Sequence, residues 1–239
     1  ITGGNPNTVY LDDSAYSFID SLRVLDSATG MVLEEINGYN QIMNRLANLN
    51  YDYNARTGLE GQMAGFCASI PSTTGNFSFT NGFTANFMLP IIGSGLLNMS
   101  SSAHNGGVLL PIALTNGLTI EINLIPNYKD AFVWNSGGVT EPTTFTWTMD
   151  NVSYDATVVN FDSQVVESMR QAGANGIYIS SYTYHGQQVS SSSATVSLNL
   201  NERAKSIKSV YVIPRLDAQS NSLQNLFSAS PVSYTHLTL

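Results

Sequence analysis

Apolar and polar positions alternate with a period of two along most of this chain, and the stretches that break the alternation mark its helices and loops. The cleanest case is 118–124, where Leu118, Ile120, Ile122 and Leu124 take one side and Thr119, Glu121 and Asn123 the other, as a strand with one face on a core requires. Upstream, Tyr16, Phe18, Leu22 and Val24 share one side of an extended segment that 27–30 turns back into 31–36, which predicts a hairpin. After Asn37 and Gly38 the period changes. Tyr39, Ile42, Met43, Leu46 and Leu49 recur at steps of three and four, so a short helix should follow, its apolar stripe covering the edge or end of a sandwich. Residues 50–68 are rich in Tyr, Gly and Arg without a period and read as a long loop, a length often used for interaction.

Asn81 and Gly82 separate 77–80 from 83–87 and signal another hairpin. A two-residue loop would set Phe79 opposite Thr84, whereas a three-residue loop sets Phe79 opposite Ala85 and Phe77 opposite Phe87, a coherent apolar face; the bulged loop is therefore expected. Strand and turn continue through 88–97, a polar loop covers 98–107, and 108–114 joins 118–124 across Asn116 and Gly117. Residues 126–144, with Gly137, Gly138 and Pro142 in a polar setting, read as a linker between two β units.

Beyond it, 145–162 has the β-branched and aromatic content of a long half-buried strand, bent at Asp150 and Asn151. Asp162 can cap a helix over 163–172, where Val165, Val166, Met169 and Ala172 share one face and Gly173, Asn175 and Gly176 end it. That face is too small to hold a helix alone, so it should pack against the sheet. Strands are expected at 177–185, 195–200 and 209–214, the last stopped by Pro214 after a basic turn holding Glu202, Arg203, Lys205 and Lys208. Many short strands, Asn-Gly turns and helices only as inserts describe an all-β chain of the sandwich or jelly-roll kind.

Composition narrows the function. Only 11% of the 239 residues are charged, against about 25% in ordinary domains. A polar but uncharged surface suits turn-rich β structure, and suits faces covered by identical neighbours, where charge would cost desolvation. A net charge of −8, with nine scattered Lys and Arg, argues against direct nucleic-acid binding. The single cysteine, Cys67, excludes an internal disulfide and reads as a buried apolar residue. The longest apolar run, 87–97, is broken by Pro90, Gly93, Ser94 and Gly95 and is too short to span a bilayer.

Candidate chemistry is sparse. His104, His185 and His236 lie far apart, with no ligand spacing between them. Asn50, Asp52 and Asn54 begin like a calcium loop, but Ala55 and Gly61 stand where its glycine and bidentate glutamate belong. The run from Gly93 through Ser94 and Gly95 to Asn98 follows a dinucleotide loop only as far as its second glycine. Glu34 and Glu35 are neighbours on a strand, which sends them to opposite faces and makes a shared acid–base role unworkable; a solvated edge is the expectation. There is no G-x-S-x-G elbow. Asn76, Asn98 and Asn151 begin glycosylation sequons of the kind that an Asn-, Ser- and Thr-rich chain makes by accident. The cluster of Arg203, Lys205 and Lys208 reads as a solvated turn rather than an acidic partner's contact. No catalytic, cofactor-binding or metal-ligating residue is assigned.

Four blocks in order carry a resemblance: SLRVLDSATGMVLEEINGYNQIMNRL (21–46), LPIALTNGLTIEINL (110–124), ESMRQAGANGIYI (167–179) and LNERAKSIKSVYVIPR (starting at Leu200 after Asn199). Together they look like the double jelly-roll major capsid proteins of the adenovirus-like and tailless-phage-like DNA virus lineage, especially virophage and polinton-like relatives. The resemblance implies a structural subunit without an active site, two jelly rolls side by side, homotrimeric pseudo-hexagonal capsomers, and a virion shell in which they meet neighbouring capsomers and minor capsid or vertex proteins. By this likeness 1–125 holds later strands of the first roll, 126–144 the linker, and 145–231 the first strands and helix of the second, the fold being truncated at both ends. Residues 232–239 (VSYTHLTL) resemble the translation of a sequencing-library adapter and are set aside. Two other readings stay open from the residues alone. One is a lectin-like carbohydrate-binding sandwich using aromatics such as Trp134, Trp147 and Tyr184; the other is a sandwich-fold hydrolase, which needs paired carboxylates in a cleft.

Overall fold

The expected hairpin is the centre of the structure, a computed structural model that describes residues 9–11, 14–50, 52, 54–55, 58–66, 78–79, 84–97, 117–127, 131–134, 147–156, 158–173, 179–186, 197, 207 and 209–212. Strands β1 (Val9–Leu11), β2 (Ile19–Asp26) and β3 (Val32–Asn37) lead into helix α1 (Tyr39–Asn50) and a short helix α2 (Leu59–Met63). Strands β4 (Ser78–Phe79), β5 (Leu118–Leu124) and β6 (Phe132–Trp134) follow, and helix α3 (Ser163–Gly173) lies in the second half. They form two antiparallel three-stranded sheets, in the orders β4-β1-β6 and β3-β2-β5. The chain is thus β-rich, with few helices.

Each piece of the hairpin has a local cause. Asp26 accepts from the backbone N–H and hydroxyl of Thr29, and Gly30 takes the left-handed conformation (φ 68°) that closes the turn. In the ladders Leu22 faces Ile36 and Ile122, and Val24 faces Glu34 and Ile120, so alternation sends Leu22, Val24 and Ile36 inward to full burial. On the other face Arg23 stands opposite both Glu35 and Glu121, 2.9 Å from the latter. Glu35 is exposed there, as expected. The α1 stripe is also as expected: Tyr39, Met43 and Leu46, joined by Ala47, pack with Tyr16, Leu22, Ile36, Ala64 and Phe66.

Several expectations are corrected. Tyr16 and Phe18 do not extend β2; Ala15–Phe18 is a 3-10 turn capped by Ser14, which accepts from the Tyr16 N–H. The turn divides the two aromatics. Tyr16 enters the core under α1, and Phe18 joins Leu11, Ala15, Ile125, Ala131 and Phe132 in a second core. The stretch 50–68 is more than a loop, since it contains α2 and delivers Ala64 and Phe66 to the first core. Phe79 pairs with Val9 of β1 rather than in a local ladder with 84–87, although Ala85 and Phe87 do share the apolar side, packed on the second core. The tip of that expected hairpin, 80–83, and the expected strand 108–114 lie outside the described residues. Within 126–144, β6 pairs with β1, so part of the expected linker is sheet.

The second half departs further. Residues 147–156 and 158–162 have no regular secondary structure and belong to neither sheet, with Val152, Tyr154, Val158, Val159 and Phe161 exposed. Asn151 is left-handed (φ 56°), at the point where the strand was expected to bend. Asp162 does cap α3, accepting from the Gln164 N–H at 3.0 Å. The helix is not packed as expected, however: Val165 is 41% exposed, and Val166 and Met169 are only half-buried. Of the expected strands 177–185 and 209–214, the described residues 179–185 and 209–212 likewise have no regular secondary structure and lie outside both sheets. The expected strand at 195–200, save Ser197, is outside the described residues.

Candidate functional site

The most organised polar group of the described residues is one that sequence reading placed in solvent. Glu34 shares the inward parity of Ile36, so β3 carries its carboxylate into the core, where it is 6% exposed. The loop 93–97 closes around it. One carboxylate oxygen accepts the Gly95 N–H at 2.7 Å; the other accepts the Ser94 hydroxyl at 2.6 Å and the Leu96 N–H at 3.1 Å. Ser94 in turn accepts the Leu97 N–H at 2.9 Å. Successive backbone N–H groups turned toward one anion form a nest, and here the anion is the chain's own side chain.

Two tyrosines hold the approach to this loop. Tyr16 donates to the Pro90 carbonyl at 2.6 Å and Tyr39 to the Ile92 carbonyl at 2.8 Å. Both rings are buried and 6.2 Å apart. Burial pushes the Tyr39 phenol far above its ordinary range, and the nearby Glu34 carboxylate adds to the shift. Beneath them Asn44 of α1 receives a bond from Ser14 at 2.5 Å and donates to Ser17 at 3.0 Å, tying the helix to the 3-10 turn. Buried polar groups matched in this way fix one arrangement of the elements.

The segment 179–184 lies over the same region. Tyr182 packs against the first core and sits 3.5 Å from where a Cβ on Gly93 would be. A Cβ on Gly95 would come within 2.7 Å of the Ser180 carbonyl, and one on Gly38 within 2.6 Å of the Tyr184 ring. Burial raises the Tyr182 phenol, with Tyr211 nearby adding to it.

The other sequence candidates are dispersed. Asp52 accepts the Ala55 N–H at 2.7 Å and so caps a turn. Gly93, Ser94 and Gly95 form the nest just described, occupied by Glu34. Trp147 stacks on Phe18 with ring centroids 5.3 Å apart, while Tyr184 is half exposed. His185 and Asn151 are exposed and lie outside both sheets. His104, His236, Cys67, Asn76, Asn98, Arg203, Lys205 and Lys208, and the side chain of Trp134, lie outside the described residues. Among the described residues no three His, Cys, Asp or Glu side chains converge as a metal site would require, and no helix is long and apolar enough to cross a membrane.

The sequence signal for the nest was present in two halves. An acidic residue sat on the inward parity of a strand, and a Gly-Ser-Gly run rich in free N–H groups sat 60 residues later. Nothing local joins the two. No family model, curated protein or solved structure matches this chain. The carboxylate is enclosed and already accepts three bonds, so its chemistry is to hold a loop in place.

Proposed function

We propose that this chain is part of a structural subunit of an icosahedral viral capsid, a double jelly-roll protein that assembles as pseudo-hexagonal homotrimers in the virion shell. The observation that carries the reading is the apolar surface of the second half. Val152, Val158, Ile207, Val210, Tyr211 and Val212 are each more than half exposed, in a chain of which only 11% is charged. Large exposed apolar patches mark interaction surfaces, and assembling proteins bury such side chains against neighbouring elements or copies. The described residues are β-rich, with two antiparallel three-stranded sheets, and the jelly-roll plan and its viral direction rest on the four ordered sequence blocks. The carbohydrate-binding alternative draws less support, because Trp147 is taken up against Phe18 rather than displayed beside Tyr184.

The test is the natural open reading frame that contains these residues, expressed in full and examined by light scattering and negative-stain microscopy. A stable trimer with a pseudo-hexagonal outline is expected. A monodisperse monomer that binds polysaccharide would overturn the reading.

A further inference from the structure

We infer that the Glu34-held loop is a docking track for one segment, 179–184, and that the match between them registers the second half of the chain onto the first. Three glycines meet the segment: Ile179 and Ser180 lie at Gly95, Tyr182 together with the closer Met43 side chain at Gly93, and Tyr184 at Gly38. These glycines come from two places far apart in sequence, the start of α1 and the Glu34 loop. At Gly95 and Gly38 the segment comes closer than a Cβ would allow, so the track accepts backbone and an aromatic ring at distances that a larger residue would block.

Glu34 is the positioning residue of this track. Its carboxylate fixes the N–H groups of Gly95 and Leu96 and the Ser94 hydroxyl, and so sets which side of Gly95 faces Ser180. Tyr39 fixes the carbonyl of Ile92 just before Gly93. Tyr182 supplies the anchor, packed into the first core. The segment belongs to neither sheet, so this side-on fit, and not a strand ladder, is what places it. These contacts lie within one chain and do not depend on its being a capsid subunit.

Gly95 gives the sharpest test. Unlike Gly38 and Gly93 it is not left-handed, so Gly95→Ala adds no backbone strain. It does add a Cβ 2.7 Å from the Ser180 carbonyl and 3.0 Å from the Ser180 nitrogen, atoms that cannot give way unless the segment moves. Hydrogen exchange on the full chain, read by mass spectrometry, should show the 179–186 amides exchanging about tenfold faster or more, with Ile19–Asp26 and Leu118–Leu124 unchanged. Tyr182→Ala should release the same segment without adding an atom anywhere, and decides the matter should Gly95→Ala not fold. Gly38→Ala and Gly30→Ala form a matched pair. Both glycines are left-handed, but only a Cβ at Gly38 meets the segment, while nothing lies within 4 Å at Gly30. Release by the first and not the second is expected. Unchanged exchange at 179–186 in both Gly95→Ala and Tyr182→Ala, or a rise shared equally by β2 and β5, would overturn the inference.

Discussion

Glu34→Gln changes one atom of the nest and has a calculable cost. The amide can keep its oxygen where it still accepts from Ser94 and Leu96, which turns its NH2 toward the Gly95 N–H. A stranded, part-buried donor costs about 1–3 kcal/mol, and each of the two remaining bonds falls from the strength of a charged acceptor to that of a neutral one, a loss of about 1 kcal/mol apiece. The neutral amide is easier to desolvate than the carboxylate, which returns part of this. The net loss should be about 2–4 kcal/mol, a large share of a typical total of about 5–15 kcal/mol. Urea unfolding followed by circular dichroism measures it. With a slope of about 2 kcal/mol per molar, the midpoint should fall by about 1–2 M. Ser94→Ala, which removes one donor to Glu34 and the acceptor for Leu97, should lose about 1–3 kcal/mol. The double variant should lose less than the sum, because the two side chains share one network. A Glu34→Gln midpoint within about 0.2 M of the parent at equal slope would refute the claim that the nest holds this part of the fold.

Other parts of the structure give shorter tests. The Tyr39 phenol is raised above its ordinary value of 10.0 in the folded state, so its contribution is intact below pH 10 and is lost as the pH rises beyond it, at up to about 1.4 kcal/mol per unit. Tyr39→Phe should flatten the alkaline loss of stability between pH 10 and 11, measured by urea titrations at each pH; an unchanged slope would contradict the burial of the phenol. Phe18 lies edge-on to Phe132 at 5.4 Å and against Trp147, so Phe18→Ala should cost about 3–5 kcal/mol and shift tryptophan emission to the red. Asp162→Ala removes the cap of α3 and should weaken that helix by about 1 kcal/mol. Because the face of α3 is largely exposed, the effect should appear as faster amide exchange within Ser163–Gly173, not as a fall in the global midpoint.

What could be read from sequence divides by the range of the interaction. The turn at Asp26–Gly30, the α1 stripe, the β5 strand and the Asp162 cap are set by residues within a few positions of one another, and the structure has all four, although Ile122 and Leu124 of β5 are exposed instead of facing a core. Tyr16 and Phe18 were misplaced because period two cannot tell a strand from a short 3-10 turn ahead of it. The deciding signal was Ser14, whose side chain turns back onto the Tyr16 N–H. The pairing of β4 with β1 escaped notice because Asn81-Gly82 is a strong local signal and Val9 is distant. Glu34 was assigned to solvent for a similar reason. Opposite faces for Glu34 and Glu35 followed from the strand, but which of them faced the core depended on Leu22 and Val24 across the ladder, and on a loop 60 residues away.

The two halves differ in what their apolar residues touch, and that contrast bears on assembly. In 9–134 the large side chains of β2, β3 and α1 find one another, and the polar groups carried in with them are matched by Ser94, Asn44 and the backbone. In 147–212 the same strand-like composition, in Val152, Tyr154, Val158 and Val159, stays exposed on segments outside both sheets. Each of these side chains would contribute roughly 1.5–3 kcal/mol on full burial, so the second half gains little from its own pattern while uncovered. Among the described residues, contacts that tie it to the first half are Trp147 on Phe18 and the segment 179–184 over Gly95, Gly93 and Gly38. Covering Val152, Tyr154, Val158 and Val159 would therefore add stability that the described residues of the second half do not supply among themselves.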